Sequence, residues 1–144
     1  MLSTATRIQP YLFFNGRCEE ALEFYKQALG AQVTMLMRFK ENPDPRAKDM
    51  VAPGSDEKVM HANLQVLGEN IMASDGMGSG ETAFKGISLS LTATDNAEAD
   101  KLFNGLAQGG KIDMPLAKTF WSPYFGMVTD KFGVSWMVGL APQA

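Results

Sequence analysis

The chain contains a single histidine, His61, and this residue is its clearest candidate for acid–base chemistry. Apolar and polar residues alternate over 59–67, which predicts a half-buried strand with His61 and Asn63 on its polar face. Near neutral pH an imidazole on such a face can act as a general base or as a hydrogen-bond donor to a ligand. The alternative is an ordinary solvent-exposed strand histidine. Asp75 becomes its partner only if the fold brings the two side chains together.

Large aromatic side chains near the C-terminal end of the chain form a second candidate set. Trp121 and Tyr124 can line a pocket and stack on a flat or cationic ligand, or they can fill the core and a dimer contact. Trp136 shares strand parity with Val134 and Val138, and this parity favours a place in the core. The set therefore offers two candidates for ligand binding and one for packing.

The composition excludes several classes of protein. One Cys among 144 residues cannot form an intramolecular disulfide, and one His with one Cys cannot make a zinc finger or a three-His zinc site. The net charge is −3 and no basic run stands out, so the electrostatic signature of a nucleic-acid-binding protein is missing. No apolar run approaches the roughly 18 residues of a membrane span, and residues 1–7 lack the apolar region of a signal peptide. We expect a cytoplasmic protein without a nucleic-acid or membrane partner.

The first half of the chain has the pattern of a strand, a helix, a strand and a hairpin. The aromatic run 11–14 is typical of a strand buried on both faces. Apolar residues from Cys18 to Leu29 recur at helical spacing, Cys18 is an inert thiol on that stripe, and Gly30 ends the helix. The remaining predicted strands are 32–39, 59–67 and 71–73, the last two joined by a turn at 68–70.

The segment 41–58 differs from its neighbours because it contains three prolines among many charged residues. This composition predicts a long exposed loop within a domain. Such a loop is either a lid over a site or a plain solvated connection.

The second half of the chain repeats the same order of elements. Asp95 and Glu98 have the form of a capping box, and the helix they start ends at Gly109. A turn at 130–133, in which Asp130 serves the turn itself, joins the last two strands. The predicted strands of this half are 86–94, 111–116, 124–129 and 134–140.

The repeated order predicts an α+β fold of two βαβββ modules within a single domain, 1–144. Module one covers about 8–76 and module two about 84–141, and an offset of 77 residues relates them. Each module is too small for its own core, so we expect curved mixed sheets around a cavity. That cavity would be the default ligand site.

Two βαβββ modules in one chain resemble the vicinal oxygen chelate superfamily, which includes glyoxalase I, extradiol dioxygenases and the bleomycin- and fosfomycin-resistance proteins. Several segments are similar to its PhnB-like branch: 10–16, 18–25, 61–64, 71–75 and 120–136. That branch is also labelled as related to a demethylubiquinone methyltransferase. No glycine-rich turn between an early strand and a helix offers a nucleotide site here.

The resemblance also locates the metal ligands that many members of the superfamily carry on the first and last strands of each module. Here the corresponding positions are Pro10, Met72 or a neighbour, Ile87 or Ser88, and Met137. None is an imidazole or a carboxylate, and a Met thioether is a soft ligand that does not suit the divalent ions of this superfamily. We therefore expect no metal and no cofactor, with Met137 on the floor of an apolar, deformable pocket.

The resemblance implies a metal-free small-molecule-binding protein that forms a homodimer. The predicted ligand-binding residues are His61, Asn63, Trp121, Tyr124 and Met137, and His61 is the candidate if a catalytic residue exists. The alternative is a lyase, isomerase or dioxygenase that uses a divergent metal site or His61 acid–base chemistry. A third possibility is a scaffold whose pocket has no ligand.

Overall fold

The computed structural model describes residues 6–46, 53–76 and 82–142. The chain divides into two compact units, Met1–Lys26 with Gly30–Glu81 and Gln27–Leu29 with Thr82–Ala144. That both belong to a single domain stays a prediction.

The two halves of the chain have the same order of elements, as the sequence predicts. Module 1 consists of β1 Tyr11–Phe13, α1 Cys18–Leu29, β2 Gln32–Arg38, β3 Val59–Val66 and β4 Glu69–Ser74. Module 2 consists of β5 Ser88–Ala93, α2 Asn96–Ala107, β6 Lys111–Ala117, β7 Phe125–Thr129 and β8 Ser135–Leu140. A 3-10 turn, Phe39–Glu41, follows β2.

Each module contains one four-stranded mixed sheet. Sheet 1 has the order β1-β4-β3-β2, and sheet 2 has the order β5-β8-β7-β6. The first and last strands of each module are parallel, whereas the other neighbouring pairs are antiparallel. A hairpin cannot join two parallel strands, so the chain between the first and last strand of each module must cross over, and the helix is part of that crossover. The predicted α+β class and the two βαβββ modules are confirmed.

The two helices begin in different ways. No side chain of its own segment caps α1, whose first turn instead meets the Asp75 carboxylate. Asp95 caps α2 by accepting from the Glu98 amide at 2.8 Å, and Glu98 accepts from the Thr94 amide at 3.1 Å. The capping box is therefore confirmed with its return bond one residue earlier than the standard form.

The apolar stripes of both helices are buried, as their spacing predicts. On α1 the buried residues are Cys18, Ala21, Leu22, Tyr25, Ala28 and Leu29. On α2 they are Ala99, Leu102, Phe103 and Leu106. At Gly126 on β7, an added Cβ would lie 2.9 Å from the Phe103 ring, so this glycine allows α2 to pack closely on sheet 2.

The prediction that β1 is buried on both faces is wrong. Leu12 is buried, but Tyr11 is 37% exposed and Phe13 is 53% exposed. All four residues of the run 11–14 are large and mainly apolar, so the sequence does not show which of them face outward. One face of β1 is therefore an accessible aromatic surface.

The hairpin between β3 and β4 turns earlier than the sequence predicts. Its two turn residues are Leu67 and Gly68, with φ of 51° and 85°, and β4 begins at Glu69. Two positive φ values match the right-handed twist of the flanking strands in a two-residue hairpin. Leucine is a poor signal for that conformation, which explains why the turn predicted at 68–70 was misplaced.

Part of the predicted long loop over 41–58 lies outside the described residues, because 47–52 are not described. The prediction of a lid therefore has no structural test. At the described end of the loop, the Phe39 amide donates to the Lys58 carbonyl and the Lys40 amide donates to the Asp56 carbonyl.

Candidate functional site

One face of sheet 1 carries the candidate histidine, and we call it the open face of sheet 1. From residue 61 onward the buried residues of β3 are Ala62, Leu64 and Val66, so His61 and Asn63 lie on the other side. Residues paired across neighbouring strands share a face. The open face therefore includes Tyr11, Phe13, Met35, Met37, His61, Asn63 and Met72.

His61 is held between two polar side chains on the open face of sheet 1. Its Nδ1 lies 2.7 Å from the Tyr11 hydroxyl, and its Nε2 lies 3.0 Å from Oδ1 of Asn63. An amide oxygen only accepts, so Nε2 carries the hydrogen, and in the neutral imidazole Nδ1 then accepts from Tyr11. The three side chains form one hydrogen-bonded chain that runs from Tyr11 through His61 to Asn63.

Aromatic and thioether groups surround this chain of hydrogen bonds. The Tyr11 and Phe13 rings stack with centroids 4.8 Å apart and planes at 15°. Met35 is 38% exposed and is paired with Asn63, and Met37 is paired with His61. Partial burial raises the pKa of the Tyr11 hydroxyl, because it disfavours the phenolate. Tyr11 therefore stays protonated at neutral pH and donates to His61.

Asp75 is engaged by backbone amides. Its Oδ1 accepts from the Gly16 amide at 2.7 Å and the Cys18 amide at 2.8 Å, and its Oδ2 accepts from the Val59 amide at 2.8 Å. The residue is only 4% exposed. Asp75 thus joins the start of α1 to the start of β3, and the side chains that hydrogen-bond His61 are Tyr11 and Asn63.

A cavity of about 280 Å³ opens beside the start of α1. Its lining consists of Gly16, Glu19, Arg38, Glu57, Lys58, Val59 and Asp75. Arg38 makes two bonds to the Glu19 carboxylate, at 2.6 and 3.1 Å, and Lys58 donates to the Gly16 carbonyl at 3.0 Å. The bond from Arg38 lowers the pKa of Glu19. Arg38 and Glu19 therefore neutralise each other, and the Lys58 ammonium is engaged with a backbone carbonyl, so the cavity offers a weaker ligand site than the open face.

Sheet 2 has an open face of different chemistry. Met137 is paired with Ser90 on one side and Met127 on the other, and Met127 is paired with Met114. At the start of this sheet the Ser88 and Ser135 hydroxyls are 2.6 Å apart. The surface therefore combines hydroxyls with a row of deformable thioethers. This surface agrees with the predicted apolar surroundings of Met137. The role of Met137 in ligand binding stays a prediction.

The aromatic candidates of the second half lie in different surroundings. Trp121 is 42% exposed, and its ring packs edge-on against Phe125. The Tyr124 hydroxyl donates to Asp100 on α2, and this bond raises the pKa of the phenol. Trp136 is 3% exposed, so its predicted place in the core is confirmed. The structure thus brings His61 and Asn63 together, while binding roles for Trp121 and Tyr124 stay predictions.

The positions that resemble metal ligands do not carry a suitable donor set. The predicted positions are Pro10, Met72 or a neighbour, Ile87 or Ser88, and Met137. Strand pairing places Tyr11, which follows Pro10, beside Met72, and it places Ser90 beside Met137. Among the residues that the structure describes, no three His, Cys, Asp or Glu side chains group closely enough to hold an ion. A phenol, an alcohol and two thioethers do not suit the hard and borderline divalent ions that metal-using relatives bind.

Cys18 is a structural thiol rather than a reactive one. It is fully buried on the α1 stripe, and burial raises the pKa of its thiol. A thiol that stays protonated is a poor nucleophile.

The fold of the chain is also found in solved structures of other proteins. Two βαβββ modules, each with a parallel first and last strand, are the architecture of the glyoxalase/bleomycin resistance/dioxygenase superfamily. A solved domain of that description from Frankia sp. EAN1pec has a TM-score of 0.66 at 14% identity, over 98% of this chain and 99% of that one. At this identity the likeness shows the fold alone.

The chain belongs to the family described as 3-demethylubiquinone-9 3-methyltransferase, whose sequence model matches residues 6–139. It is 39% identical to protein YjdN of Escherichia coli (strain K12) over 142 residues, 94% of this chain and 96% of that protein. Protein PA1353 of Pseudomonas aeruginosa is 44% identical with a TM-score of 0.83, over 96% of this chain and all (100%) of that one. A structure from Bacillus cereus, described as a PhnB protein, is 33% identical with a TM-score of 0.78, over 94% and 100%. The predicted PhnB-like membership is confirmed.

Neither helix in the described ranges is long and apolar enough to cross a membrane.

Proposed function

We propose that this protein binds a small molecule on the open face of sheet 1 without the help of a metal ion. The observation that carries the proposal is the hydrogen-bonded chain of Tyr11, His61 and Asn63 beside the exposed ring of Phe13. Ligand sites combine an apolar lining with a few polar groups that fix orientation. A binding protein of this kind needs only these features, and the resemblance puts Met72 or a neighbour at the position where metal-using relatives carry a ligand.

Binding is a better match to the surface than methyl transfer. The name of the family refers to a methyltransferase. The turn between β1 and α1, residues 14–17, contains one glycine and lacks the glycine-rich sequence that cradles a nucleotide-bearing cofactor. The open face of sheet 1 instead offers aromatic and thioether contacts around one polar chain.

A thermal-shift screen tests the proposal. Protein without an affinity tag is dialysed against a chelator, analysed for metal content and screened against apolar, flat small molecules. A ligand that binds only the native state raises the unfolding midpoint. We expect hits with the chelator-treated protein and a smaller shift for His61→Ala at the same ligand concentration.

The same screen contains the result that would overturn the proposal. Midpoint shifts that occur only after zinc, nickel, manganese or iron is added would show a divergent metal site. Stoichiometric metal that survives dialysis would do the same. A screen without any hit would leave the protein as a scaffold and remove the binding function.

The proposal also includes a homodimer in the cytoplasm. Apolar side chains are exposed on both open faces, for example Phe13 and Met114, and relatives in the superfamily commonly build pockets across subunits. The lone Cys18 is buried, which suits a reducing compartment. The net charge of −3 supports the prediction that no nucleic acid binds. Sedimentation equilibrium checks the oligomeric state, and a monomer at micromolar concentration contradicts the dimer.

A further inference from the structure

The hydrogen-bond direction within the open face of sheet 1 points to a class of ligand. We propose that the Tyr11 oxygen accepts a hydrogen bond from a hydroxyl or N–H group on a flat, apolar ligand. Asn63 imposes this preference for a hydrogen-bond donor by fixing the tautomer of His61, which in turn fixes the direction of the Tyr11 hydrogen bond. The inference deepens the proposed function and rests on it. Tyr11 is assigned a ligand contact, His61 and Asn63 are assigned positioning roles, and no charge on the ligand is required.

The direction of the chain follows from its last member. Oδ1 of Asn63 lies 3.0 Å from Nε2 of His61, and an amide oxygen has no hydrogen to give. Neutral His61 therefore holds its hydrogen on Nε2 and presents a lone pair at Nδ1. The Tyr11 hydroxyl must donate to that lone pair, which lies 2.7 Å away.

The donation fixes what Tyr11 offers to a ligand. A phenol has one hydrogen and can also accept, and the hydrogen of Tyr11 is engaged with His61. The Ser74 side chain also hydrogen-bonds this oxygen, which leaves one lone pair of the oxygen as an acceptor on a surface where the tyrosine is 37% exposed. A ligand hydroxyl or N–H group can donate a hydrogen bond to this oxygen. An ether or carbonyl oxygen of a ligand cannot, because it would place its own lone pair against that of Tyr11.

The side chains around Tyr11 indicate that the proposed ligand is flat. Phe13 stacks on Tyr11 with planes at 15° and is 53% exposed, so the two rings present one continuous aromatic surface. The thioethers of Met35 and Met72 lie on the same face, paired with Asn63 on either side. Aromatic rings and sulfur pack well against a flat ring of a ligand.

A matched probe pair tests the inference. The probes are 2-naphthol and 2-methoxynaphthalene, which share a ring system and differ in whether the oxygen carries a hydrogen. Their affinities are measured by calorimetry for the wild type and for Tyr11→Phe. The ratio of the two affinities, compared between the proteins, cancels the difference in hydrophobicity of the probes. We expect the preference for naphthol to fall about threefold to tenfold in Tyr11→Phe.

Two further variants distinguish the hydrogen bond of Tyr11 from the ring stacking and from the orientation of His61. Phe13→Leu should weaken both probes equally and leave their ratio unchanged, because it removes stacking and no hydrogen bond. Asn63→Leu should reduce the ratio while Tyr11 is still present. His61 is the sole histidine, so a long-range proton–nitrogen NMR spectrum reads its tautomer without assignment. We expect the Nε2–H form in the wild type and a mixture in Asn63→Leu.

The outcomes distinguish this inference from the proposed function. An unchanged ratio in Tyr11→Phe, or an Nδ1–H tautomer in the wild type, overturns the inference while binding itself stands. Failure of both probes to bind, when the thermal-shift screen yields other ligands, also overturns it alone. Failure of the screen as a whole removes the proposed function.

Discussion

The two modules share an order of elements but use their buried carboxylates differently. In module 1, Asp75 accepts amides from Gly16, Cys18 and Val59, residues 16 to 59 positions away in the chain. In module 2, Asp130 accepts from the Phe132 and Val134 amides and from the Trp136 indole, all within six positions. One acid joins distant elements, and the other shapes a single hairpin.

The open faces differ at corresponding positions. Tyr11 and Ser88 begin β1 and β5 and are 77 residues apart, the offset that relates the modules. Tyr11 donates across the sheet to His61, whereas Ser88 is bonded to Ser135 on the neighbouring strand. The histidine and the aromatic stack therefore give module 1 a polar anchor that module 2 lacks at these positions. The comparison teaches that a repeated fold can concentrate its recognition chemistry in one repeat.

The largest expected effect is that of Asp75→Asn. The amide offers one oxygen for three backbone donors and turns an NH₂ toward at least one of them. A buried donor without an acceptor is costly, so we expect a loss of about 3 kcal/mol in the free energy of unfolding. Urea titration measures it, with the exposed Asp56→Asn as the control. Equal losses for the two variants would contradict the role of Asp75.

A smaller loss, about 2 kcal/mol, is expected for Asp130→Asn. The hairpin keeps its backbone bonds from Asp130 to Val134 and from Gly133 to Asp130, so fewer elements depend on this carboxylate. In a Trp121→Phe background, Trp136 is the sole tryptophan and its fluorescence reports the indole bond. A loss larger than that of Asp75→Asn would reverse the comparison between the modules.

The helix starts provide the third test. Asp95→Ala removes the side-chain cap of α2 and should cost about 1 kcal/mol. Arg17→Ala at the start of α1 removes an exposed pair with Glu20 and should cost about 0.3 kcal/mol. Both values come from urea unfolding. If the two variants cost the same, the helices are stabilised alike and Asp75 does not substitute for a local cap.

The smallest expected effect depends on pH. Arg38 lowers the pKa of Glu19 in the folded state, so the pair stabilises the protein above the ordinary carboxyl pKa and loses that effect as pH falls through the lowered value. The Glu19 side chain is 57% exposed, so Glu19→Gln should cost only about 0.5 kcal/mol at neutral pH and less in high salt. Unfolding curves at about pH 7 and about pH 3 should show that the free energies of unfolding of the wild type and Glu19→Gln become more similar in acid. A difference that grows in acid would contradict the pairing.

Periodic patterns predicted the parts of the fold that alternate in hydrophobicity. The spacing on α1 located its buried stripe, and the alternation on β3 placed His61 and Asn63 on one face. The uniform aromatic run of β1 carried no such signal, so the exposure of Tyr11 was missed. The two-residue period of a strand, which puts Tyr11 and Phe13 on the face opposite to Leu12, was the signal that could have found it.

Contacts between distant residues lay beyond sequence reasoning. Nothing near Asp75 in the chain indicates that it meets the start of α1, 57 residues earlier. The partner of His61 on β1 is 50 residues away, and only the sheet order brings the two strands near each other. By contrast, Asp130 and Asp95 act within a few residues, and their roles were predicted from local patterns.

Calorimetric titration of a ligand from the thermal-shift screen into chelator-treated protein tests the central claim most directly. We predict that wild-type protein binds without added metal, that His61→Ala weakens binding about tenfold, and that Ser88→Ala at the corresponding strand start of module 2 leaves it unchanged. Binding that requires a divalent metal, or that Ser88→Ala weakens as much as His61→Ala, would contradict the account.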